Sequence, residues 1–419
     1  MLTAYYTDIL LPKFRLLNNI PYVPHKCDSQ CVLVAEESFH PNQLHINPFL
    51  LPFKCQWSIV DGKPRGYRTP CHRTLYSLDD IEKYLFRTDS KLSIKFFIDD
   101  LLTRFVPVLD KFDKKFLVKV DLANGQENIL IPVYNDLNND KPDNFTYITQ
   151  ILPFDTKIYA AYNNTNMTSC CTCIDNCSDR MKCACYRKTL NQALLNHDPF
   201  VMEKQRNRFS LSNTVKSMAY QKKRLLHPVS SGIYECNSKC SCHKEHCSNR
   251  LIQQGLFVQL QLFQDKHKGW GLRTLHDLPR GTYICQYIGE LITSDQGHER
   301  AQTIDDRYQT SLDLVRQIRY ENNNNKDEEE EEEEEEPYVI DGSLYSNLGK
   351  YFNHSCDPNM YIQNVFIESH DLHFPHLALF TRTRVKAGEE LTWHYNCELL
   401  PDREVKCFCG SKNCRGRLF

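Results

Sequence analysis

At 419 residues, 41% apolar and 25% charged, the chain can bury a sizeable core in roughly two to four domains, and it has no run of about twenty apolar residues to span a membrane. Its net charge of −2 hides an asymmetry: without the acidic block of Asp327 and residues 328–336, 51 basic residues face 43 acidic ones, a balance that suits nucleic acid or chromatin. The opening Met1-Leu2-Thr3-Ala4-Tyr5-Tyr6 lacks a secretory pattern, so a reducing compartment is expected and the 20 cysteines point to metal rather than to disulfides.

Residues 1–45 carry His25-Lys26-Cys27-x3-Cys31. Zinc ligation by His25, Cys27 and Cys31 with His40 or His45 is conceivable, but the spacing matches no common pattern, and two reduced structural cysteines are the favoured reading. Residues 46–118 read as a small α/β unit, with a strand over 55–60, a turn at Asp61-Gly62, a strand at Tyr67-Arg68-Thr69 stopped by Pro70, and a helix over 77–86. Ser77 and Asp80 have the form of a capping box, and Leu78, Ile81 and Leu85 make a core-facing stripe. Tyr67-Arg68-Thr69-Pro70-Cys71-His72-Arg73-x-Leu75-x-Ser77 with Tyr84-Leu85 resembles a methyl-CpG-binding domain. DNA-reading members fork two arginines onto guanines. Here Tyr76 stands where the second would be and the first has no clear equivalent, so the resemblance implies the fold, while Arg65, Arg68 and Arg73 are left as phosphate contacts or solvated surface. Residues 119–165, rich in Asn and Asp, read as an irregular connector with short strands and no chemistry.

The segment 166–250 holds two cysteine groups. Cys171-x-Cys173-x3-Cys177 with Cys183-x-Cys185 forms the first, and Cys236-x3-Cys240-x-Cys242-x4-Cys247 the second. Nine thiolates cannot give three tetrahedral zincs four separate ligands each, but they suffice if three of them bridge. This arrangement resembles the triangular three-zinc pre-SET module, with the adjacent Cys170 as a possible substitute for Cys171. Closed thiolate shells leave no position for water, so the zinc would be structural. Lys222-Lys223-Arg224, between the groups, is either a localisation signal or, more simply, solvated surface.

Beyond residue 250 the alternation of Val258, Leu260 and Leu262 with Gln259 and Gln261 predicts a half-buried strand over 256–263, and 282–288 predicts another. Lys268-Gly269-Trp270-Gly271 follows the first and Tyr287-Ile288-Gly289-Glu290-Leu291 overlaps the second. Residues 305–337 contain too little apolar side chain to order themselves and read as a disordered acidic insert. Tyr338-Val339-Ile340-Asp341 resumes the fold, and Asn353-His354-Ser355-Cys356, Glu390-Leu391-Thr392-Trp393-His394-Tyr395 and Cys407-x-Cys409-x4-Cys414 complete the set.

Together these motifs resemble a SET-domain lysine methyltransferase. With the nine-cysteine module, the methyl-CpG-type unit and the interruption, the resemblance narrows to the SETDB methyltransferases of histone H3, in their shorter, Tudor-less form. It implies a mainly β SET fold, a β-clip with a pseudoknot, in two halves at 251–304 and 338–399, plus zinc-rich pre-SET and post-SET (400–419) modules. It implies S-adenosylmethionine as cofactor, held by Gly269, Trp270, Gly271, Asn353, His354 and Tyr395. Tyr395 and Tyr287 would line the lysine channel, and Trp393 would take the place that sets how many methyls fit, with di- or trimethylation expected. Cys356 would join Cys407, Cys409 and Cys414 on a fourth zinc, or else be a buried thiol. The implied partners are the histone H3 tail at lysine 9, heterochromatin and silencing proteins, and DNA through the methyl-CpG-type unit, in the nucleus at chromatin.

The chemistry asks for such walls. A free lysine of pKa about 10.4 is almost wholly protonated near neutrality. A narrow apolar tunnel and a nearby sulfonium both lower that pKa, while aromatic faces hold methylammonium groups. Three departures from the family pattern stand out: His394 replaces an aspartate, Cys397 a tyrosine and Ser346 a glycine. The rival reading is a non-catalytic chromatin adaptor that recruits silencing partners through the same modules.

Overall fold

The computed structural model describes residues 23–36, 52, 55–60, 66–94, 97, 116–119, 121–127, 129–164, 169–206, 218–221, 223–244, 247–303, 306–314, 336–395 and 405–418. Most of the acidic insert, the Asp61-Gly62 turn, His40, His45, Arg65, Lys222 and Cys397 lie outside them. The chain divides into two units, Met1–Asp136 and Leu137–Phe419. Among the described residues, no helix is long and apolar enough to cross a membrane.

In the first unit, β1 (Ser58–Val60), β2 (Gly66–Arg68) and β3 (Thr74–Leu75) form an antiparallel sheet in that order. The first strand is shorter than expected, because Cys55 and Gln56 form a turn in which Gln56 takes a φ of 61°. Helix α1 (Leu78–Arg87) starts where the Ser77 hydroxyl accepts the Asp80 amide at 3.1 Å. That bond satisfies an amide the helix itself leaves open. Its face of Ile81, Tyr84 and Leu85 is buried with Trp57, Tyr67, Leu75 and Phe97, and Trp57 meets Phe97 edge-on at 4.5 Å. β4 (Leu117–Lys119) pairs antiparallel with β5 (Val133–Tyr134).

The second unit is mainly β. β6 (Thr146–Tyr147) and β7 (Leu152–Pro153) come from the expected connector, followed by α2 (Thr156–Tyr162). Next come α3 (Ala184–Leu195), which carries Cys185 in its first turn, α4 (Pro199–Arg206), β8 (Tyr220–Gln221), β9 (Arg224–Leu225) and β10 (Ile233–Tyr234), with the other cysteines of the two groups before α3 and after β10. Then come the hairpin of β11 (Leu260–Asp265) and β12 (Gly269–Thr274), β13 (Tyr283–Tyr287), β14 (Glu290–Ile292), α5 (Ser294–Ala301), β15 (Gln309–Ser311), β16 (Val339–Asp341) and β17 (Tyr345–Ser346). The chain ends through β18 (Asn353–His354), β19 (Met360–Phe366), β20 (His376–Thr381) and β21 (Thr392–Trp393). The first predicted SET strand starts at Leu260 rather than 256 and runs on to Asp265.

The connector does more than connect. β6 pairs parallel with β17 in a two-stranded sheet, and β7 pairs parallel with β14 at the edge of the sheet β15-β16-β14-β7, so both of its strands pair with later parts of the chain. The insert begins later than expected: Asp306–Tyr308 is a short 3-10 turn and β15 pairs antiparallel with β16, so 306–314 belong to the fold. Arg300 of α5 reaches Glu290 on β14 and Asp341 on β16, both at 2.9 Å, and so clamps neighbouring strands on either side of the acidic block.

Candidate active site and metal centres

The two distant motifs meet in one parallel strand pair. Asn353 lies opposite Thr392 and His354 opposite Trp393, with the β19–β20 hairpin supplying the crossover that parallel pairing needs. The Ser355 amide continues the pairing onto the Trp393 carbonyl at 3.0 Å. Within that pair a single backbone oxygen organises two aromatic residues. The Phe352 carbonyl accepts the Trp393 indole N–H at 3.2 Å and the Tyr395 hydroxyl at 2.9 Å. The Tyr395 amide in turn donates to His354 Nδ1 at 3.2 Å.

Tyr287, on β13, completes an aromatic row. Its ring lies 5.9 Å from that of Trp393, which lies 5.3 Å from that of Tyr395. The Tyr287 hydroxyl donates to the Tyr308 carbonyl at 2.7 Å, and burial pushes its pKa well up, so it stays a neutral donor. Burial also holds His354 down at about 4, with His394 stacked edge-on at 4.8 Å and Arg415 adding to the effect. The imidazole that receives the Tyr395 amide is therefore uncharged at neutral pH.

The glycine-rich strand β12 lies against this pair. Asn353 Nδ2 donates to the Trp270 carbonyl at 3.2 Å and to Glu390 Oε1 at 2.9 Å, and Lys268 pairs with the other oxygen of Glu390. A Cβ on Gly271 would come within 2.8 Å of Glu390 and 2.9 Å of Asn353, and Gly269 has a φ of 77°. The φ of Gly269 is one that favours glycine, and a side chain at Gly271 would have to push aside the ends of Glu390 and Asn353 and so disturb their bond. Ser346, one of the departures, is buried and donates to the Ile288 carbonyl at 3.0 Å.

The cysteines gather as their spacing suggests. Cys171, Cys177 and Cys236 form a near-equilateral triangle of sulfurs, with edges of 3.6, 3.7 and 3.6 Å. Around it lie Cys183, 3.8 Å from Cys236, the pair Cys185 and Cys240 at 3.5 Å, and Cys242 with Cys247. Cys173 is buried in the same cluster, beside Cys171, Cys177 and Cys183. Cys356, Cys407, Cys409 and Cys414 form a separate group near the C-terminus, with Cys356 and Cys407 4.0 Å apart. Cys170 is exposed.

These separations discriminate between chemistries. A disulfide holds its sulfurs about 2.05 Å apart. Two thiolates on one tetrahedral zinc, each about 2.3 Å from the metal, stand about 3.8 Å apart. Backbone amides of Cys171 and Asn237 point at the Cys240 sulfur at 3.3 Å, that of Asn249 at the Cys247 sulfur at 3.3 Å, and that of Arg415 at the Cys356 sulfur at 3.4 Å. Such donors stabilise thiolate charge. The pre-SET and C-terminal clusters suit zinc.

Motif spacing did not foretell the Phe352 carbonyl, which is a backbone atom, or the roles of Glu390, Lys268 and Tyr308. The adjacency of Phe352 to Asn353 was the available signal for the first. For the others, only the strand pairing brings them to the site.

Comparison with known proteins places these features. The Pre-SET motif family matches residues 123–250 and the SET domain family residues 269–396. The histone-lysine N-methyltransferase eggless of Drosophila melanogaster is 29% identical over 99% of this chain and 39% of its own length. The histone-lysine N-methyltransferase SETDB2 of Mus musculus is 24% identical over 96% of this chain and 80% of its own. The chain thus spans about two fifths of the length of its eggless relatives. The crystal structure of Arabidopsis thaliana SUVH6 in complex with SAM superposes with a TM-score of 0.57 and 26% identity, covering 75% of this chain and 59% of that one. The chain thus carries a Pre-SET motif ahead of a SET domain and is similar along nearly its whole length to SETDB-type histone-lysine N-methyltransferases.

Proposed function

We propose that this chain is a protein-lysine methyltransferase that uses S-adenosylmethionine and acts on lysine 9 of the histone H3 tail, adding two or three methyl groups, in the nucleus at chromatin. The observation that carries the reading is the shared Phe352 carbonyl, which fixes Tyr395 and Trp393 beside Asn353 and His354 and opposite Tyr287. Its relatives' names support a histone substrate.

The cradle fits the cofactor. Gly269, Trp270 and Gly271 would form one wall, with Gly271 letting the Asn353 and Glu390 side chains pack close against its backbone, and Asn353 and His354 the other. The bound cofactor would supply an electrophilic methyl on a sulfonium. The protein's part is to deliver a neutral amine in line with it. An aromatic channel of Tyr287, Trp393 and Tyr395 strips water from the substrate ammonium and so lowers its pKa. The π faces hold the partly methylated cation for a further round. Tyr395, its hydroxyl proton committed to Phe352, offers an oxygen lone pair to the amine, while Trp393 sets the room left for successive methyls.

The zinc clusters hold the walls. Cys171, Cys177 and Cys236 are the sulfurs that would bridge, leaving Cys173 with Cys183, Cys185 with Cys240, and Cys242 with Cys247 as the terminal pairs of three zincs. The fourth zinc, on Cys356, Cys407, Cys409 and Cys414, would tie the C-terminal tail to β18. The methyl-CpG-type unit would contribute docking to DNA or to silencing proteins, with the exposed Tyr76 arguing against symmetric methyl-CpG reading.

A methylation assay on an H3 tail peptide with mass readout tests the proposal, counting methyls and locating the lysine. Tyr395→Phe is expected to cut turnover by about 10²–10³-fold while cofactor affinity stays within a factor of two. Cofactor binding without methylation of any histone peptide would overturn the enzyme reading in favour of the adaptor.

A further inference from the structure

Outside the SET core, the N-terminal segment and the methyl-CpG-type unit converge on a cluster that the function above does not use. The imidazole of His25 and the sulfurs of Cys27, Cys31 and Cys71 all lie within 4.8 Å of one another. His25 Nε2 is 3.2 Å from the Cys31 sulfur and 3.8 Å from that of Cys27. On a tetrahedral zinc, a nitrogen at about 2.1 Å and a sulfur at about 2.3 Å from the metal stand roughly 3.5 Å apart. The sequence partners conceived for His25, namely His40 and His45, lie outside the described residues. Cys71, forty residues beyond Cys31, is the one brought in instead.

Two features independent of those distances point to a ligand. His25 Nδ1 lies 2.7 Å from the Val23 carbonyl, so it carries the proton and donates, and the lone pair of Nε2 faces the three sulfurs. This is the arrangement by which metal-binding histidines are oriented. The sulfurs themselves are surrounded by donors. The Thr69 and Tyr84 hydroxyls lie 3.2 and 3.3 Å from the Cys71 sulfur, and the Arg73 guanidinium 3.7 Å from that of Cys27. Three thiolates and a neutral imidazole on a divalent zinc leave one negative charge, which Arg73 faces.

We propose that His25, Cys27, Cys31 and Cys71 bind a structural zinc ion that staples the segment 23–36 onto the methyl-CpG-type unit. Four ligands close the shell, leaving no position for substrate or water. Cys71 is presented by the tight turn between β2 and β3, where the Thr69 and Arg73 backbones bond at 2.9 Å and His72 takes a φ of 70°. At the other end of the segment, buried Glu36 accepts the Lys91 amide at 2.6 Å and bonds the Ser90 hydroxyl, just past α1. The segment is thus pinned twice, by metal before its 3-10 turn and by a carboxylate after it. Among the described residues, a three-stranded sheet and a ten-residue helix make a small core, the setting in which a metal staple adds most.

The test is a zinc count on the full chain by native mass spectrometry and elemental analysis. Five zincs per chain are expected, one for each of the five clusters, and a count of four in the wild-type protein would overturn the proposal. The wild-type count does not depend on any variant's folding. Cys31→Ser is expected to lose one zinc and to become cleavable by protease within 23–36. Cys71→His, which keeps four ligands, should hold it, and Cys55→Ser, a neighbouring buried thiol outside the cluster, should keep all five. Retention of five zincs by both Cys31→Ser and Cys71→Ser would also overturn it. None of these outcomes depends on methylation activity, so the site stands or falls separately from the enzyme reading.

Discussion

The pre-SET and C-terminal cysteine clusters use the same ligand but differ in what surrounds them. The sulfurs of the first are carried by residues that are buried almost throughout and pack into a core with Tyr186, Leu190, Val201 and Phe380. In the second, Cys356, Cys409 and Cys414 are half-exposed, and three of the four cysteines sit on a short tail with one short bridge, Lys406 to Arg417. The first cluster is therefore part of what folds the unit, while the second fastens a strap to a fold that already exists. Metal has a global role in one place and a local role in the other.

The largest effect should come from Cys236→Ser. Its sulfur would bridge two of the three pre-SET zincs and shares a triangle with the two sulfurs that hold the third, and structural zinc sites contribute about 10–16 kcal/mol in apparent binding energy. Loss of three zincs together and of cooperative unfolding is expected by elemental analysis and calorimetry. Loss of a single zinc with the transition intact would show that the cluster is not shared as described.

Cys414→Ser should separate the two regions. One zinc is lost, the melting transition of the pre-SET core stays in place, and methylation of an H3 peptide falls by about 10–100-fold, the usual scale for disturbing a metal site's surroundings. A melting transition that collapses as in Cys236→Ser would erase the contrast between strap and core.

Gly271→Ala asks whether the site depends on the strand pairing as much as on the strap. The added methyl meets Asn353 and Glu390, at a cost of about 1–3 kcal/mol, so cofactor affinity measured by calorimetry should drop roughly 10–100-fold with the zinc count unchanged. The smallest effect should follow Ser77→Ala in the first unit. Loss of the cap on α1 costs about 1 kcal/mol and should lower that unit's melting temperature by a few degrees, with zinc and methylation untouched.

Sequence spacing made the helix at 78–87 and the two cysteine groups legible, because each depends on residues close in the chain, while resemblance to a known family marked both SET motifs. Ser77 caps its helix through an amide three residues on, and Cys-x-Cys pairs cannot easily face different ways. The strand ends and the start of the insert were less legible, since Gln56 breaks its strand by a left-handed turn and 306–311 are held by long-range partners, the Tyr287 hydroxyl on the Tyr308 carbonyl and β16 along 309–311.

What only tertiary structure decided was which distant groups close on each other. It selected Cys171, Cys177 and Cys236 as the central triangle among nine equivalent thiols, put Tyr287 against Trp393, aimed two side chains at the Phe352 carbonyl, and brought Cys71 to His25. The reason is physical: local spacing constrains direction over a few ångströms, but contacts across forty or a hundred residues are set by strand register and core packing, which no short motif encodes.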